Sequence, residues 1–387
     1  MTTSLTIFPG TWCTDFAAHV TPWSVVSGQT SEKRRTPPWG RVLLVAVVAL
    51  LVAGTGIVLI PRDSATPPPL PFSETARARA LEDTLQLRGA AGALSSAAGQ
   101  GAAQPALQDA VTLLTTQARA LLVPSEVTPS ATATPAGAAD TTTRAAFVAA
   151  LSASGTQRLA DANEADGGMA RLLAAVGSAQ VLGAEKLAGA WQLPVPNDAA
   201  ASKTKMPAVT PSTAPCPSVS PTPEPTSATT DAALAATVRT HQEAVYAYQV
   251  ALKRLDTAAA GTAAKGLATH ELLLQQVEAL TRANCGDIPA SEAGYRLPGQ
   301  FAQDPAAALA ALESSTLPVL GDLVALSTGE TRAWAVDGLL AAARRSQAWG
   351  ADVPALPGLT LDAGELPPLP TPDSATTTSG STPSPAG

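Results

Sequence analysis

Apolar residues recur every three or four positions along the last third of the chain, between residues 231 and 358. Spacings of four and three alternate without a break in the first stretch, the heptad pattern of a helix that packs along one face. That face comprises Leu234, Val238, His241, Val245, Tyr248, Leu252 and Leu255. A second stretch repeats the spacing with Leu267, His270, Leu274 and Val277. The pattern predicts two packed helices, each with a histidine on its apolar face.

Two more helices are predicted further along the chain. The third begins at Asp304-Pro305, an N-cap followed by proline at the first helical position, and Gly329 is predicted to close it. Its apolar face comprises Leu309, Leu312, Thr316, Val319, Leu323 and Leu326. The fourth covers roughly residues 331–349. Four helices with one longer connection, residues 286–303, predict a four-helix bundle.

A second helical region is predicted at residues 73–192, where alanine-rich stretches carry spaced Leu and Val, because alanine loses no side-chain entropy in a helix. Ser73 is the predicted N-cap of its first helix. The predicted helices cover roughly 73–99, 104–123, 142–164 and 169–191. Together with the bundle, this region gives an all-α fold class.

Proline-rich segments separate these regions. Residues 61–72 form a short spacer, residues 193–230 a Pro/Ser/Thr-rich linker, and residues 359–387 a tail of similar composition. Such segments cannot bury enough apolar surface to fold alone, so the linker and the tail are predicted to be disordered. The two helical regions either stand apart on this linker or pack into one composite domain.

Residues 42–60 are an uncharged apolar run long enough to cross a membrane, spanning about 28 Å as a helix. The basic residues that precede it are Lys33, Arg34, Arg35 and Arg41, whereas only Arg62 follows closely. The positive-inside rule therefore predicts a cytoplasmic tail at residues 1–41 and an extracytoplasmic position for residues 61–387. A cleaved signal peptide is the alternative, although the apolar run exceeds the usual length of such a signal.

Charge and motifs limit the function classes. The formal net charge is −7 and no long basic block is present, which argues against nucleic-acid binding. The sequence has no nucleophile elbow, Walker loop, dinucleotide-binding glycine motif or Cys-x-x-Cys pair. No catalytic residue is predicted, and the sequence leaves open whether the protein is an enzyme.

The segment HQEAVYAYQVALKRL resembles the actinobacterial ferritin-like domain family of unknown function. The likeness continues with His270, AGYRLP (293–298), the DPAAALAALE helix and QAWGADVPALPGL. It covers residues 231–358 and implies a ferritin-like topology in an exported, envelope-attached protein. In the family pattern a Glu-His pair precedes Ala-Val-Tyr-Ala-Tyr, whereas this chain has His241 and Gln242 there.

Ferritin-like di-metal sites need Glu-x-x-His pairs, because this spacing turns both ligands to the same side of a helix. The signature is absent, since Val238 and Leu267 stand three residues before His241 and His270. Both histidines are therefore predicted to be hydrogen-bonded core residues, with no cofactor. Glu313 flanks its apolar face, so an alternative is a mononuclear iron or zinc site formed by His241, His270 and Glu313.

The chain has three cysteines, and Cys13 falls in the predicted cytoplasmic tail. Cys216 and Cys285 are both predicted outside the cell, where an oxidising environment favours a disulfide. Such a bridge would stabilise the chain by roughly 4 kcal/mol in the chain-entropy model. The alternative is a pair of free thiols.

These observations predict a single-pass membrane protein with a non-catalytic structural or interaction role in the cell envelope, where an envelope protein would be its partner. The alternative is a metal-binding or oxidase-like protein of the ferritin family with a degenerate site.

Overall fold

The computed structural model describes Val47 and residues 70–97, 103–122, 143–196, 228–362 and 364–369. Over these residues the chain contains α-helices, one short 3₁₀ helix (Gly299–Ala302) and no β-strand, which confirms the all-helical prediction. The helices are α1 (Phe72–Ala97), α2 (Gln104–Leu121), α3 (Arg144–Glu164), α4 (Gly167–Ala190), α5 (Thr230–Ala251), α6 (Thr257–Ala283), α7 (Pro305–Leu326) and α8 (Gly329–Ala348). The predicted cytoplasmic tail, residues 1–41, and the apolar run 42–60 lie outside the described residues, apart from Val47.

Side-chain caps explain where several helices begin. Thr143, Asp166, Thr229 and Asp256 each stand just before a helix and accept a hydrogen bond from the backbone N–H three residues later. Asp304 does the same before α7, with Pro305 at the first helical position, as the sequence predicts. Each cap satisfies one of the backbone N–H groups that the first turn of a helix leaves without a partner.

Two predicted helix ends are wrong. Gly329 does not close α7, because α7 ends at Leu326 with Ser327 as its C-cap, and Gly329 begins α8 with a positive φ of 58°. Ser73 is not an N-cap, because α1 already begins at Phe72. Its hydroxyl instead accepts a hydrogen bond at 2.8 Å from the backbone N–H of Asp166, at the start of α4.

The two helical regions share one hydrophobic core. The described residues from Leu70 onwards belong to one compact unit, in which α4 packs against both α7 and α8. Apolar side chains from both regions meet in the same cluster, among them Ala76, Leu121, Leu173, Leu234, Val277, Leu317, Trp334 and Leu339. The helices on either side of the proline-rich linker are therefore arranged as a composite domain.

Polar contacts reinforce this shared core. Arg332, at the start of α8, donates to the carbonyl of Ala165 between α3 and α4, and Arg344 pairs with Glu185 of α4 at 2.6 Å. Arg332 is 5% exposed, so its contact replaces water that the side chain has lost on folding.

The chain after α8 returns across the first helical region. Gln117 of α2 donates to the carbonyl of Ala355 at 3.0 Å, and Arg171 of α4 donates twice to that of Gly358, at 2.9 and 2.6 Å. Arg119 reaches the carbonyls of Leu366 and Pro367, in the described part of the segment predicted as a tail. Side chains of α2 and α4 thus hold this non-helical segment through its backbone.

Within the described residues, one helix is long and apolar enough to cross a membrane by length and composition, namely α7. Half of its most apolar window is buried inside the protein, where it packs against α4, α5 and α8. A helix in the core of a folded domain has the same length and apolar composition, and in this structure α7 is such a core helix.

Candidate functional site

Two buried histidines face each other between α5 and α6. His241 and His270 are 1% and 0% exposed, and their Nδ1 atoms lie 3.0 Å apart. The heptad pattern explains this placement, since both residues lie on the apolar face of their helix. The predicted core position of the two histidines is therefore the one observed, and each ring uses a nitrogen to contact the other.

Glu313 of α7 joins this pair and is fully buried. Its Oε1 atom lies 2.8 Å from Nε2 of His270 and accepts a hydrogen bond at 2.6 Å from the hydroxyl of Tyr248. Its Oε2 atom accepts from Nε of Arg345 on α8 at 2.9 Å. Both carboxylate oxygens therefore already have protein partners.

The network continues from Tyr248 to the end of α8. The indole Nε1 of Trp349 donates to the Tyr248 hydroxyl at 2.8 Å. We call the connected set His241, His270, Glu313, Tyr248, Arg345 and Trp349 the polar column. Each of the helices α5, α6, α7 and α8 contributes at least one member, and Trp349 follows directly after α8. It runs from a fully buried end at His241 to the partly exposed Trp349.

The charges in the polar column balance. Burial by itself raises the pKa of Glu313, but Arg345 and the hydrogen bonds from His270 and Tyr248 outweigh it and lower the pKa to about 2. Glu313 is therefore ionised at neutral pH and Arg345 supplies its counter-charge. Burial, together with the nearby carboxylate, raises the pKa of Tyr248, which keeps its hydroxyl protonated as a donor.

The ionised carboxylate also fixes the protons on the imidazoles. Burial, with smaller contributions from His270 and Arg345, holds the pKa of His241 well below its usual value, so this ring is neutral. Nε2 of His270 faces the ionised carboxylate and donates to it, and the neutral His241 donates its one N–H proton from Nδ1 to Nδ1 of His270. Nε2 of His241 is then an unprotonated acceptor, and this buried atom has no hydrogen-bond partner in the structure.

A glycine on α6 makes room for Tyr248. A Cβ atom built at Gly266 would lie 2.5 Å from Cε1 of Tyr248 and 2.7 Å from its Cζ. No other residue type leaves this space, because every other residue carries a Cβ. Gly266 also stands one helical turn before His270, so the tyrosine ring packs over the α6 backbone beside that histidine.

The structure brings together the three residues of the alternative metal site, His241, His270 and Glu313. Their nitrogen and oxygen atoms contact protein groups, with Nε2 of His241 as the exception. Across the part of the chain that the structure describes, no cluster of three or more His, Cys, Asp or Glu has the arrangement of a metal site. As they stand, these side chains form a hydrogen-bonded network and do not fit a metal ion without rearrangement.

Sequence reasoning missed Arg345 and Trp349. A buried carboxylate needs a counter-charge, which is the signal that could have pointed to an arginine on a neighbouring helix. Which of Arg332, Arg344 and Arg345 faces Glu313 depends, however, on how α8 is rotated about its axis. The spacing of residues within α8 does not determine that rotation.

Gln242 occupies the position at which the family resemblance suggests an altered ligand pair. Its amide donates to the carbonyl of Pro289 at 3.1 Å, and its Oε1 accepts from the Tyr295 hydroxyl at 3.1 Å. Tyr295 also packs against Tyr246, with ring centroids 5.7 Å apart. Gln242 therefore holds the AGYRLP segment against α5 and takes no part in the polar column.

Cys285, just after α6, is disulfide-bonded. The other two cysteines, Cys13 and Cys216, lie outside the described residues. The pairing of Cys285 with Cys216 stays a prediction.

A groove of about 450 Å³ lies away from the polar column, between α2, α4 and the residues that follow α8. Leu113, Leu182, Gly183 and Val353 supply much of its apolar lining, and the paired Asp109 and Lys186 also line it. No member of the polar column contributes to its lining.

The fold and the polar column define an all-helical protein with a charge-balanced polar core. Residues 233–361, about a third of the chain, match the model of a domain of unknown function (DUF4439). The match covers α6 to α8, nearly all of α5, and the segment that returns across the first helical region. No match to the chain was found among curated proteins or among solved structures.

Proposed function

We propose that this protein is a membrane-anchored, extracytoplasmic scaffold with a structural or interaction role in the cell envelope and no catalytic role. In this proposal residues 42–60 are the membrane helix, and α5 to α8 form a ferritin-like four-helix bundle. The partner is a protein of the envelope. The positive charges before residue 42 and the proline-rich segments outside the helices support this topology.

The observation that carries the proposal is the occupancy of Glu313. Its two oxygens accept from His270, Tyr248 and Arg345, and the arginine provides the positive charge that a metal ion would otherwise supply. A carboxylate held in this way is a poor ligand, because binding a cation would first require separating the buried carboxylate from the partly buried Arg345 guanidinium. Such a network suits a core that must hold four helices in one arrangement.

Metal titration of the purified full-length chain distinguishes this scaffold role from a metal-binding role. We expect no stoichiometric uptake of zinc or iron and no change in thermal midpoint when either metal is added, since a ligand that binds only the folded state raises its stability. Stoichiometric uptake that His270→Ala abolishes would overturn the proposal. Affinity capture from chemically crosslinked envelopes tests the interaction role, and we expect one partner protein to be recovered reproducibly with the chain.

One observation favours the second candidate, a metal-binding protein with a degenerate site. Nε2 of His241 is buried and has no hydrogen-bond partner, so it is available to a ligand. Metal uptake lost in His241→Ala but retained in Gln242→Ala would support this candidate. Gln242 is the matched control because it is the next residue on α5 and is also buried, yet its contacts go to the Pro289 and Tyr295 segment.

A further inference from the structure

The aromatic ring of Tyr248 lies between two other rings of the polar column. Its centroid is 5.3 Å from that of His270 and 6.2 Å from that of Trp349. Trp349 is partly exposed at the end of α8, whereas Tyr248 is fully buried. Trp349 therefore joins the protein surface to a tyrosine that solvent cannot reach.

The hydroxyl of Tyr248 has a proton acceptor in place. Its oxygen lies 2.6 Å from Oε1 of Glu313, and the carboxylate is ionised. Tyrosine loses its phenolic proton when it gives up an electron, because the phenol radical cation is a strong acid. Loss of the electron and transfer of the proton can therefore occur together at this site, without solvent.

The other tyrosines of the chain lack this arrangement. The sequence has three, Tyr246, Tyr248 and Tyr295, and all lie in the described part of the chain. The Tyr295 hydroxyl donates to the amide oxygen of Gln242, which is a very weak base. Tyr246 lies on α5 and its ring packs against that of Tyr295 at a tilt of 55°, and both residues are partly exposed.

We propose that Tyr248 is a one-electron oxidation site, with Trp349 as the point of electron exit and Glu313 as the proton acceptor. A one-electron oxidant at the surface, such as a small inorganic radical, takes an electron from the indole of Trp349. The oxidised indole then takes an electron from Tyr248, whose phenolic proton moves to Oε1 of Glu313. The net change is a reduced oxidant, a neutral tyrosyl radical and a protonated Glu313, and an electron donor reverses it.

This activity goes beyond the scaffold role and needs no bound metal. It would confine oxidising equivalents to a buried ring that is shielded from neighbouring molecules. The His270 and His241 rings extend the hydrogen-bonded path beyond Glu313 and connect it to the buried end of the column.

Flash photolysis of the full-length chain with a ruthenium(III) polypyridyl oxidant, followed by freeze-quench and electron paramagnetic resonance, tests the proposal. We expect a neutral tyrosyl radical in the unmodified chain, loss of that signal in Tyr248→Phe and its retention in Tyr246→Phe. Trp349→Phe should lower the yield of the radical, whereas Trp334→Phe should not. Trp334 is the matched control because its ring contacts His241 at the other end of the column and is 3% exposed.

A second measurement does not depend on the folding of any variant. The chain without substitutions is oxidised and its peptides are mapped. Oxidative modifications should appear at Trp349 and Tyr248 before they appear at the more exposed Tyr246 and Tyr295. Oxidation spread over the exposed tyrosines in preference to Tyr248 would overturn the proposal, as would an unchanged signal in folded Tyr248→Phe. A full radical yield in folded Trp349→Phe would overturn the assigned electron path.

Discussion

Nε of Arg345 lies 2.9 Å from Oε2 of Glu313, and this contact joins α8 to a fully buried carboxylate. The pair makes it possible for His270 and Tyr248 to donate to the other carboxylate oxygen while the group stays ionised. The polar column therefore depends on an arginine 32 residues away from the acid that it neutralises.

Arg345→Met should destabilise the protein by about 3–5 kcal/mol, because it leaves Glu313 buried without a counter-charge. Urea unfolding followed by circular dichroism measures this loss. Arg282→Met is the matched control, since Arg282 pairs with Glu278 at 3.3 Å on the surface and should change stability by no more than about 1 kcal/mol. Equal effects of the two substitutions would show that Arg345 is not needed as the counter-charge of the buried Glu313.

Gly266→Ala should destabilise the protein by about 1–3 kcal/mol, because the new Cβ would lie 2.5 Å from the ring of Tyr248. Gly261→Ala, also on α6, should instead stabilise it by about 0.5–1 kcal/mol, since nothing lies within 4 Å of a Cβ there and alanine favours the helix. Thermal midpoints of the two variants test the prediction. Opposite signs are expected, and two stabilising substitutions would contradict the packing at Tyr248.

Stability should fall as the pH drops below about 6.5, because His241 has a lowered pKa and stays neutral in the folded chain while it takes up a proton after unfolding. Glu313 adds to the loss at lower pH, since its folded pKa of about 2 is below its ordinary value of 4.5. Its contribution is present above pH 4.5 and is lost as the pH falls towards 2. Urea midpoints across this range measure both effects.

His241→Gln separates the two contributions. It should reduce the pH dependence between about 6.5 and 5, by up to about 1.4 kcal/mol per pH unit for one proton, and leave the loss at lower pH in place. A variant with the same slope as the unmodified chain in the upper range would contradict the neutral, buried state of His241.

Cutting the chain in the segment 197–227 should leave α1 to α4 associated with α5 to α8, because the two regions share one core. Limited proteolysis followed by size-exclusion chromatography under native conditions tests this, and both fragments should elute together. The cut chain is analysed after reduction as well, so that the disulfide of Cys285 cannot account for the association. Separation of the reduced fragments would contradict the composite arrangement.

Thiol counting in denaturant tests the predicted Cys216–Cys285 bridge. One free thiol is expected without reductant and three with it, since the chain has three cysteines. Without reductant, Cys13→Ser should lower the count of free thiols to zero. Cys216→Ser should raise the count to two, because Cys285 would lose its partner. A free thiol that persists in Cys13→Ser would rule out this pairing.

The helices can be predicted from the sequence because N-caps, prolines and apolar spacing each act over only a few turns of helix. Asp304 and Pro305 mark the start of α7 through a cap and a fixed φ, and both act within one turn. Periodicity likewise places His241 and His270 on buried faces. Gly329 misleads because a glycine with positive φ can stand after one helix or before the next, and here it begins α8.

Contacts between distant residues are the part that the sequence does not disclose. Glu313 flanks its apolar face by spacing alone, and only the positions of α5, α6 and α8 bring Tyr248, His270 and Arg345 to it. Similarly, the Pro/Ser/Thr composition of residues 193–230 predicts a linker but carries no information on whether the regions that it joins touch. Arg332 and Ala165, which are 167 residues apart, make that contact directly.

The returning segment after α8 changes how the domain of unknown function should be handled. Residues 233–361 end within it, yet the carbonyls of Ala355 and Gly358 are held by Gln117 and Arg171, which lie outside the match. Expressed by themselves, residues 233–361 would lose these donors and expose apolar surface that α4 normally covers. Attempts to crystallise or assay this protein should therefore keep α1 to α4 attached, because the matched stretch is half of a folding unit.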